Sequence, residues 1–490
     1  MKKLDALTAS RFFAALTIVF FHGGGGLFPL SVFPINPLFT SGPVMVSYFF
    51  VLSGFVLAYV YHRPGEHFHF GKFAWARFAR IYPVYLLAFG LTSLYYIERI
   101  ARVKPAKIWA NLLLVQAWIP KYAMSLNMVA WALSVEAFLY VLFPFLLLWA
   151  YRKSLRRLIA VSLGFWVFSQ IIHAILMTAL IGQDWGSAFL LYNPLFHIST
   201  FFVGMVGGIW YLREGRGHKT HPNTVHAVLI LGLASAAAGL ILLKSPGFVR
   251  HFSLANGLFA PFFLVIVLAL ALERGKIARV LSHRWLVTLG GASYALYLLH
   301  VPVRWLYEQA LERMGIALPF STIYFSYLPF VLVLAVVVFL KFEEPVRIWL
   351  RRQYRDGNAR YVAALLLLDA LTVYASVKLS FALRLNFDAE ALRFYGAATA
   401  LALLTAFPAR WFLAYAFGLY DRGLASWGLL PLLGRVTGAV LAGSVLIGLI
   451  LILGEHLALI PGFPRTALLL DALFTLSATL LTRFAAGKIN

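Results

Sequence analysis

The sequence contains no cysteine. That excludes disulfides, cysteine-ligated zinc, cysteine-ligated iron–sulfur clusters and thiol catalysis, and it leaves the redox compartment unreadable. Charge is also scarce. Only 12% of the 490 residues are Asp, Glu, Lys or Arg, about half the share of an ordinary soluble domain. Acidic groups are the scarcest, 18 Asp+Glu against 42 Lys+Arg, for a net charge of +24. What fills the chain instead is apolar: 62% hydrophobic residues, 16% aromatic, mean hydropathy +0.83. A disordered chain and an ordinary soluble one are both excluded. In a soluble protein the basic excess would point to nucleic acid. Here it belongs to the loops of an integral membrane protein, so no nucleic-acid partner is expected.

From Phe12 to Tyr61 there are 50 residues without a charged side chain, enough for two crossings at about 20 residues each. Strand alternation is absent and the runs are long, so the class is an all-α polytopic membrane protein. Helices are predicted near 12–30, 43–61, 81–97, 131–150, 158–180, 197–212, 225–243, 254–273, 286–307 and 323–340. Four more are predicted near 361–381, 394–409, 436–454 and 466–482. With the N-terminus inside, the inner segments hold 29 of the 42 Lys+Arg and the outer ones 11. Arg304 and Lys378 fall within spans. This asymmetry fits about fourteen spans with both termini cytoplasmic. The first span has no small-residue cleavage site and is expected to be retained. The longest connection, 98–130, has 33 residues, short of the ~50 a soluble domain needs. Chemistry is therefore expected in or at the edge of the membrane.

The polar stretch EEPVRIWLRRQYRDGNARY (343–361) divides the chain. The expected organisation is a ten-helix domain over 1–352, a cytoplasmic linker over 353–360 and a four-helix module over 361–490. Residues 417–435 read as an amphipathic surface segment on the inner face.

An ionisable side chain inside a span costs at least about 2.5–3.5 kcal/mol and needs a partner or a function. Arg11 and His22 are eleven residues apart. On a helix that places them within about 20° of one face and about 16 Å apart along the axis. Such a stripe suits a donor with an anionic head and a reactive far end; an interfacial Arg and a packed His would give the same spacing. Glu136, near Trp131 and Ser134, is suited to orienting an imidazole and stabilising its charged form, or else to a structural pair with Arg304 or a His. Arg77 and Arg80 share a face and suit a phosphate or pyrophosphate, although simple positive-inside anchoring also explains them. His62, His67 and His69 have irregular spacing and no suitably placed acid, which argues against a metal site. Ser53-Gly54, Gly204 and Gly208 read as tight helix contacts. Tyr294, Tyr297 and His300 share one face.

Several segments in order carry a family resemblance: LDALTASRFFAALTIVFFH, YFFVLSGFVL, ARFARIYPVY, WALSVEAFLYVLFP, YNPLFHISTFFVGMVGG, ASYALYLLHVP and FEEPVR. Together, over about residues 4–352, they resemble the membrane acyltransferase-3 family of bacterial glycan O-acyltransferases. Where that family often has Trp-Ser-Leu-Ser-Val-Glu-Glu, this chain has Ala132 and Ala137 at the first Ser and second Glu. The resemblance implies an enzyme of the bacterial inner membrane. It would transfer an acyl group, acetyl by expectation, from acyl-CoA to a hydroxyl of a cell-surface glycan or lipid-linked glycan. His22, Glu136 and Arg11 become the candidate catalytic residues. Arg77, Arg80, Ser53, Tyr297 and His300 become candidates for substrate and donor binding. No metal and no bound cofactor are expected. The contrasting reading is a non-enzymatic transporter or scaffold in polysaccharide assembly.

The last four spans are similar to the membrane bundle that precedes nucleotide-sugar dehydratases of polysaccharide biosynthesis. No G-x-G-x-x-G occurs, so dehydratase activity is not expected. Residues 361–490 are expected to add no catalytic group. They would offer a surface to a second copy, a glycan-assembly partner or membrane lipid, through small-residue faces such as Gly434–Gly438.

Overall fold

The computed structural model describes residues 4–97, 103–180, 182–215, 221–244, 253–421 and 428–487. Its main helices are α1 (Asp5–Val19), α2 (Gly42–Tyr61), α3 (Phe70–Tyr95), α4 (Trp131–Tyr151), α5 (Leu155–Ala179), α6 (Ile198–Arg213), α7 (Pro222–Leu243), α8 (Ala260–Leu272), α9 (Arg284–Arg313) and α10 (Phe320–Val338). These are followed by α11 (Ala359–Arg384), α12 (Gly396–Ala416), α13 (Leu429–His456) and α14 (Arg465–Gly487). Among the described residues there is no strand. The chain is an all-α multi-pass membrane protein. It forms two compact units, Met1–Ala88 with Ala106–Val346, and Phe89–Pro105 with Arg347–Asn490.

Twelve helices among the described residues are long and apolar enough to cross a membrane, two fewer than the fourteen expected. The predicted span 254–273 is the first difference. Its helix, α8, starts only at Ala260 and has 13 residues, about 20 Å against a hydrocarbon core of about 30 Å. Bare backbone at such depth needs internal partners, and side chains from other helices supply them. Ser47 donates to the Ala255 carbonyl at 2.7 Å, Gln170 to that of Asn256 at 3.0 Å and Trp166 to that of Gly257 at 2.8 Å. The second difference is α3, which begins eleven residues before the predicted span and carries Lys72, Arg77 and Arg80 in its first half. The first helix also departs from 12–30. It starts at Asp5 and closes at Gly24 with a π turn, Phe20–Gly24, that contains His22.

Within the first unit the small residues work as expected. A Cβ on Gly54 would strike the backbone of Phe201 and Met205, and one on Gly204 the backbone of Val51. Gly208 meets Phe55 and Ala58 in the same way, so α2 and α6 pack backbone to backbone. The connection before α4 folds inward. Asn127 donates to the Leu298 carbonyl at 3.0 Å and Tyr297 to that of Val129 at 2.8 Å. The start of α4 therefore lies level with the middle of α9, not at the outer end of a span.

The second unit explains the carboxylates of its helices. Asp369 of α11 accepts two bonds from Arg483 of α14 at 2.7 Å and one from Tyr420 at 2.8 Å. Asp471 of α14 accepts from Arg410 of α12 and from Ser376 at 2.8 Å. Arg410 and Arg483, assigned above to inner connections, are instead buried within helices and tie them together. Lys378 is exposed, six residues before the end of α11, where its stem can reach the interface. Gly434–Gly438 does not form a free small-residue face: Gly438 packs against Phe417 of the same chain, and only Gly434 meets open space. Of the expected surface segment 417–435, residues 422–427 lie outside the described residues, and Leu429 onward forms about the first two turns of α13.

Three outcomes follow for stability. Gly204→Ala should cost about 1–3 kcal/mol through overpacking, read as a lowered unfolding temperature in detergent. Gly164→Ala, where nothing lies within 4 Å, should change stability by no more than about 0.5 kcal/mol. Arg483→Leu strands a buried carboxylate and should cost about 3–5 kcal/mol, measured in the same way.

Candidate active site

The site is built on α1 and α9. A Cβ on Gly290 would strike the backbone of Thr8 and Ala9, so the two helices touch there without side chains between them. Further along, His22 meets His300. The contacts follow the same order on both helices, which therefore run parallel. Each presents a polar stripe to the other: Arg11 and His22 on one, Tyr294, Tyr297 and His300 on the other.

Six of the eight residues singled out above line one cavity of about 100 Å³ within the first unit: Arg11, Ser53, Arg77, Arg80, Glu136 and Tyr297. That volume holds several waters. Glu136 Oε1 accepts from Ser53 at 3.1 Å and from Tyr140. Its Oε2 has no hydrogen-bond partner among the described residues. Arg11 makes no hydrogen bond or ion pair among them either, and it lines the same cavity as Glu136 and Tyr140. Arg77 lies over the rings of Tyr61, Phe73 and Tyr140, with its carbon 5.5–5.8 Å from their centroids, and its Nε is buried without a partner. Arg80 is ion-paired with the buried Glu343 and lies 5.1 Å from the Tyr294 ring centroid. With all groups ionised, three guanidiniums (Arg11, Arg77, Arg80) face two carboxylates (Glu136, Glu343). The balance of +1 suits an anionic ligand.

The remaining two residues, His22 and His300, do not line this cavity. They pair with each other, His300 Nε2 lying 3.1 Å from His22 Nδ1. His22 Nδ1 is also 3.0 Å from the Ile18 carbonyl. His22 Nε2 has no partner among the described residues and the ring is only partly buried. Tyr297 connects the two regions, since it lines the cavity and its ring centroid is 6.2 Å from that of His300.

Two expectations change. No hydrogen bond joins Glu136 to His22 among the described residues. The inward fold before α4 sets Glu136 level with Arg11, so the imidazole partner of His22 is His300. Arg80 is not simply a free phosphate ligand, because Glu343 of the FEEPVR segment holds it. Three residues escaped the sequence reading. Tyr140 is signalled only by its i+4 spacing from Glu136. Glu343 is one of two adjacent acids in the FEEPVR segment, which carried part of the family resemblance but was given no role at the site. Arg304, whose Nη1 would lie 3.6 Å from a Cβ on Gly23, had been noted as an intramembrane charge and as an alternative partner of Glu136; it pairs instead with Glu308 at 3.1 Å. No group of three or more His, Asp or Glu suited to a metal occurs among the described residues.

The profile of a family described as an acyltransferase domain, acyltransferase-3, matches residues 4–340. The chain belongs to the acyltransferase-3 family. It is also similar to Acyltransferase MdmB of Streptomyces mycarofaciens, with 29% identity over 346 residues, covering 65% of this chain and 84% of that one. No solved structure matches.

The matched region of this acyltransferase-3 chain contains all eight residues singled out above, and Glu343 lies three residues beyond it. The Arg80–Glu343 pair can be tested directly. Glu343→Ala should lower stability by about 2–3 kcal/mol, because it takes the carboxylate away from a largely buried guanidinium. The double change Arg80→Leu/Glu343→Leu should restore most of that stability. Thermal unfolding of the purified variants checks both.

Proposed function

We propose that the protein transfers an acyl group, acetyl in the simplest case, from acyl-CoA to a hydroxyl of a glycan or lipid-linked glycan at the bacterial inner membrane, with both termini cytoplasmic. The observation that carries this reading is the pair of aligned stripes. A net-positive cavity around the unpartnered Arg11 lies at one end, and an imidazole with an open Nε2 lies eleven residues on, in the π turn that closes the same helix. An anionic donor with a long, neutral arm has that shape.

On this reading the phosphates of the donor approach from the Arg77 side, and Arg11 holds the anionic part nearest the arm. Glu136, fixed by Ser53 and Tyr140, offsets the buried cations when the donor is absent. The thioester reaches His22. His22 Nε2 takes the proton of the acceptor hydroxyl as its oxygen attacks the thioester carbonyl. The tetrahedral intermediate collapses, the carbon–sulfur bond breaks, and the thiolate of CoA leaves with the proton that His22 returns. The ester remains on the acceptor. Arg304, beside the His22 turn and ion-paired with Glu308 at 3.1 Å, is the cation nearest that turn and would offset developing negative charge in part. The second unit supplies no catalytic group, because Asp369 and Asp471 are consumed in ion pairs. It serves as surface for a partner in glycan assembly or a second copy.

The test uses purified protein, radiolabelled acetyl-CoA and the lipid-linked saccharides extracted from an expression host. Released CoA is followed independently with a thiol reagent, to which a cysteine-free chain contributes no background. His22→Ala should lower kcat by about 10²–10⁴-fold at unchanged unfolding temperature. Arg11→Gln should mainly raise the KM for acetyl-CoA. Wild-type turnover by His22→Ala would remove His22 from the chemistry. Absence of acetyl ester on every saccharide in the extract, with intact donor, would remove the glycan acceptor.

A further inference from the structure

We infer that His300 is a positioning residue: it fixes His22 in the tautomer that leaves Nε2 unprotonated and aimed away from the helix. The inference rests on the reading of His22 as the base, and it concerns how that base is prepared. His300 Nδ1 lies 2.8 Å from the Tyr297 carbonyl and 3.2 Å from the Leu296 carbonyl. Carbonyl oxygens only accept, so His300 Nδ1 carries the hydrogen. In the neutral ring Nε2 is then a lone pair, and it faces His22 Nδ1 at 3.1 Å. His22 Nδ1 is thus flanked by two acceptors, the Ile18 carbonyl and His300 Nε2. It too must carry a hydrogen, which leaves its Nε2 as the free base. Protonating His22 at Nε2 strengthens its Nδ1–H bond to His300, as a base does against the third member of a triad.

The scaffold holds His300 for this purpose. Its side chain is 2% exposed. Two residues beyond it, Pro302 has no N–H and so cannot serve the Leu298 carbonyl four residues back. Asn127 serves that carbonyl instead, at 3.0 Å. Tyr327 donates to the carbonyl of His300 itself. The α9 backbone is therefore pinned on both sides of the ring, while Ile18 and the π turn pin His22.

The experiment has two arms. The first is nitrogen-15 NMR of the full-length protein labelled at histidine, with the His22 signal identified by its loss in His22→Ala. A protonated Nδ1 and bare Nε2 are expected; the opposite tautomer overturns the inference whatever the variants do. The second uses the acetyl-CoA assay above with His300→Leu and His300→Gln. Leu removes the acceptor and should lower kcat about tenfold to a hundredfold, with the KM for acetyl-CoA unchanged. Gln offers an amide oxygen near the same place and should recover most of the loss. Equal loss in both variants, or full kcat in His300→Leu, overturns the positioning role. Should His22→Ala itself turn over normally, the catalytic reading fails, and the NMR arm still decides the tautomer by itself.

Discussion

The contact between Gly290 and the backbone of Thr8 sets the site. Two parallel helices that touch without side chains between them have little freedom to slide or rotate. From that point outward, a residue on α1 meets a determined residue on α9. Arg11 falls beside the level of Tyr294 and Tyr297, and His22 reaches His300. A side chain at position 290 would separate the helices and shift both meetings at once. The glycine contact of α2 with α6 does the same for Ser53, which reaches Glu136 across the cavity only because its helix is held flush against its neighbour.

A bilayer interior punishes unsatisfied polar groups, and the structure separates those it satisfies from those it leaves open. The carbonyls of 255–257 are served by Ser47, Gln170 and Trp166. Asp369 and Asp471 are fully engaged by arginines. Arg80 has Glu343. Several buried polar atoms, His197 Nδ1, Glu273 Oε2 and Arg410 Nε among them, also lack a hydrogen-bond partner among the described residues, but the Arg11 guanidinium and the Arg77 Nε do so in the wall of one cavity, and the His22 Nε2 does so at the end of the same stripe. Open groups at such depth are where a ligand fits.

The sequence made the membrane class and most helices legible, because a 20-residue apolar run has few other fates. It misplaced those whose boundaries depend on tertiary partners. The start of α8 depends on three side chains far away in the chain, and the start of α4 depends on Asn127 reaching α9. Neither is visible in local hydropathy. For the site, the Arg11–His22 spacing and the Arg77/Arg80 face were readable from helical period alone. The assignment of Glu136 to His22 was not, because it required knowing how deep α4 begins. Likewise, Arg410 and Arg483 looked like loop cations at the ends of apolar runs. Only the buried carboxylates opposite them explain why they lie inside helices.

That depth also decides what Glu136 does. A carboxylate beside His22 would act on the base. A carboxylate beside Arg11 acts on the cations. Burying Arg11, Arg77 and Arg80 together without a counter-charge would cost several kcal/mol per ion after relaxation, so the empty cavity needs Glu136 as much as an occupied one needs the anion. The same carboxylate limits how tightly an anion binds, because it already offsets part of the positive charge. If the donor is acyl-CoA, as proposed, a transferase that must release the spent anionic carrier gains from such a limit. On the proposed reading, the base His22 is left to a neutral partner, His300. A neutral imidazole and a carbonyl hold the His22 N–H without adding negative charge next to an attacking oxygen. The division follows from where α4 starts: Glu136 lies with the cations, and among the described residues no carboxylate is hydrogen-bonded to His22.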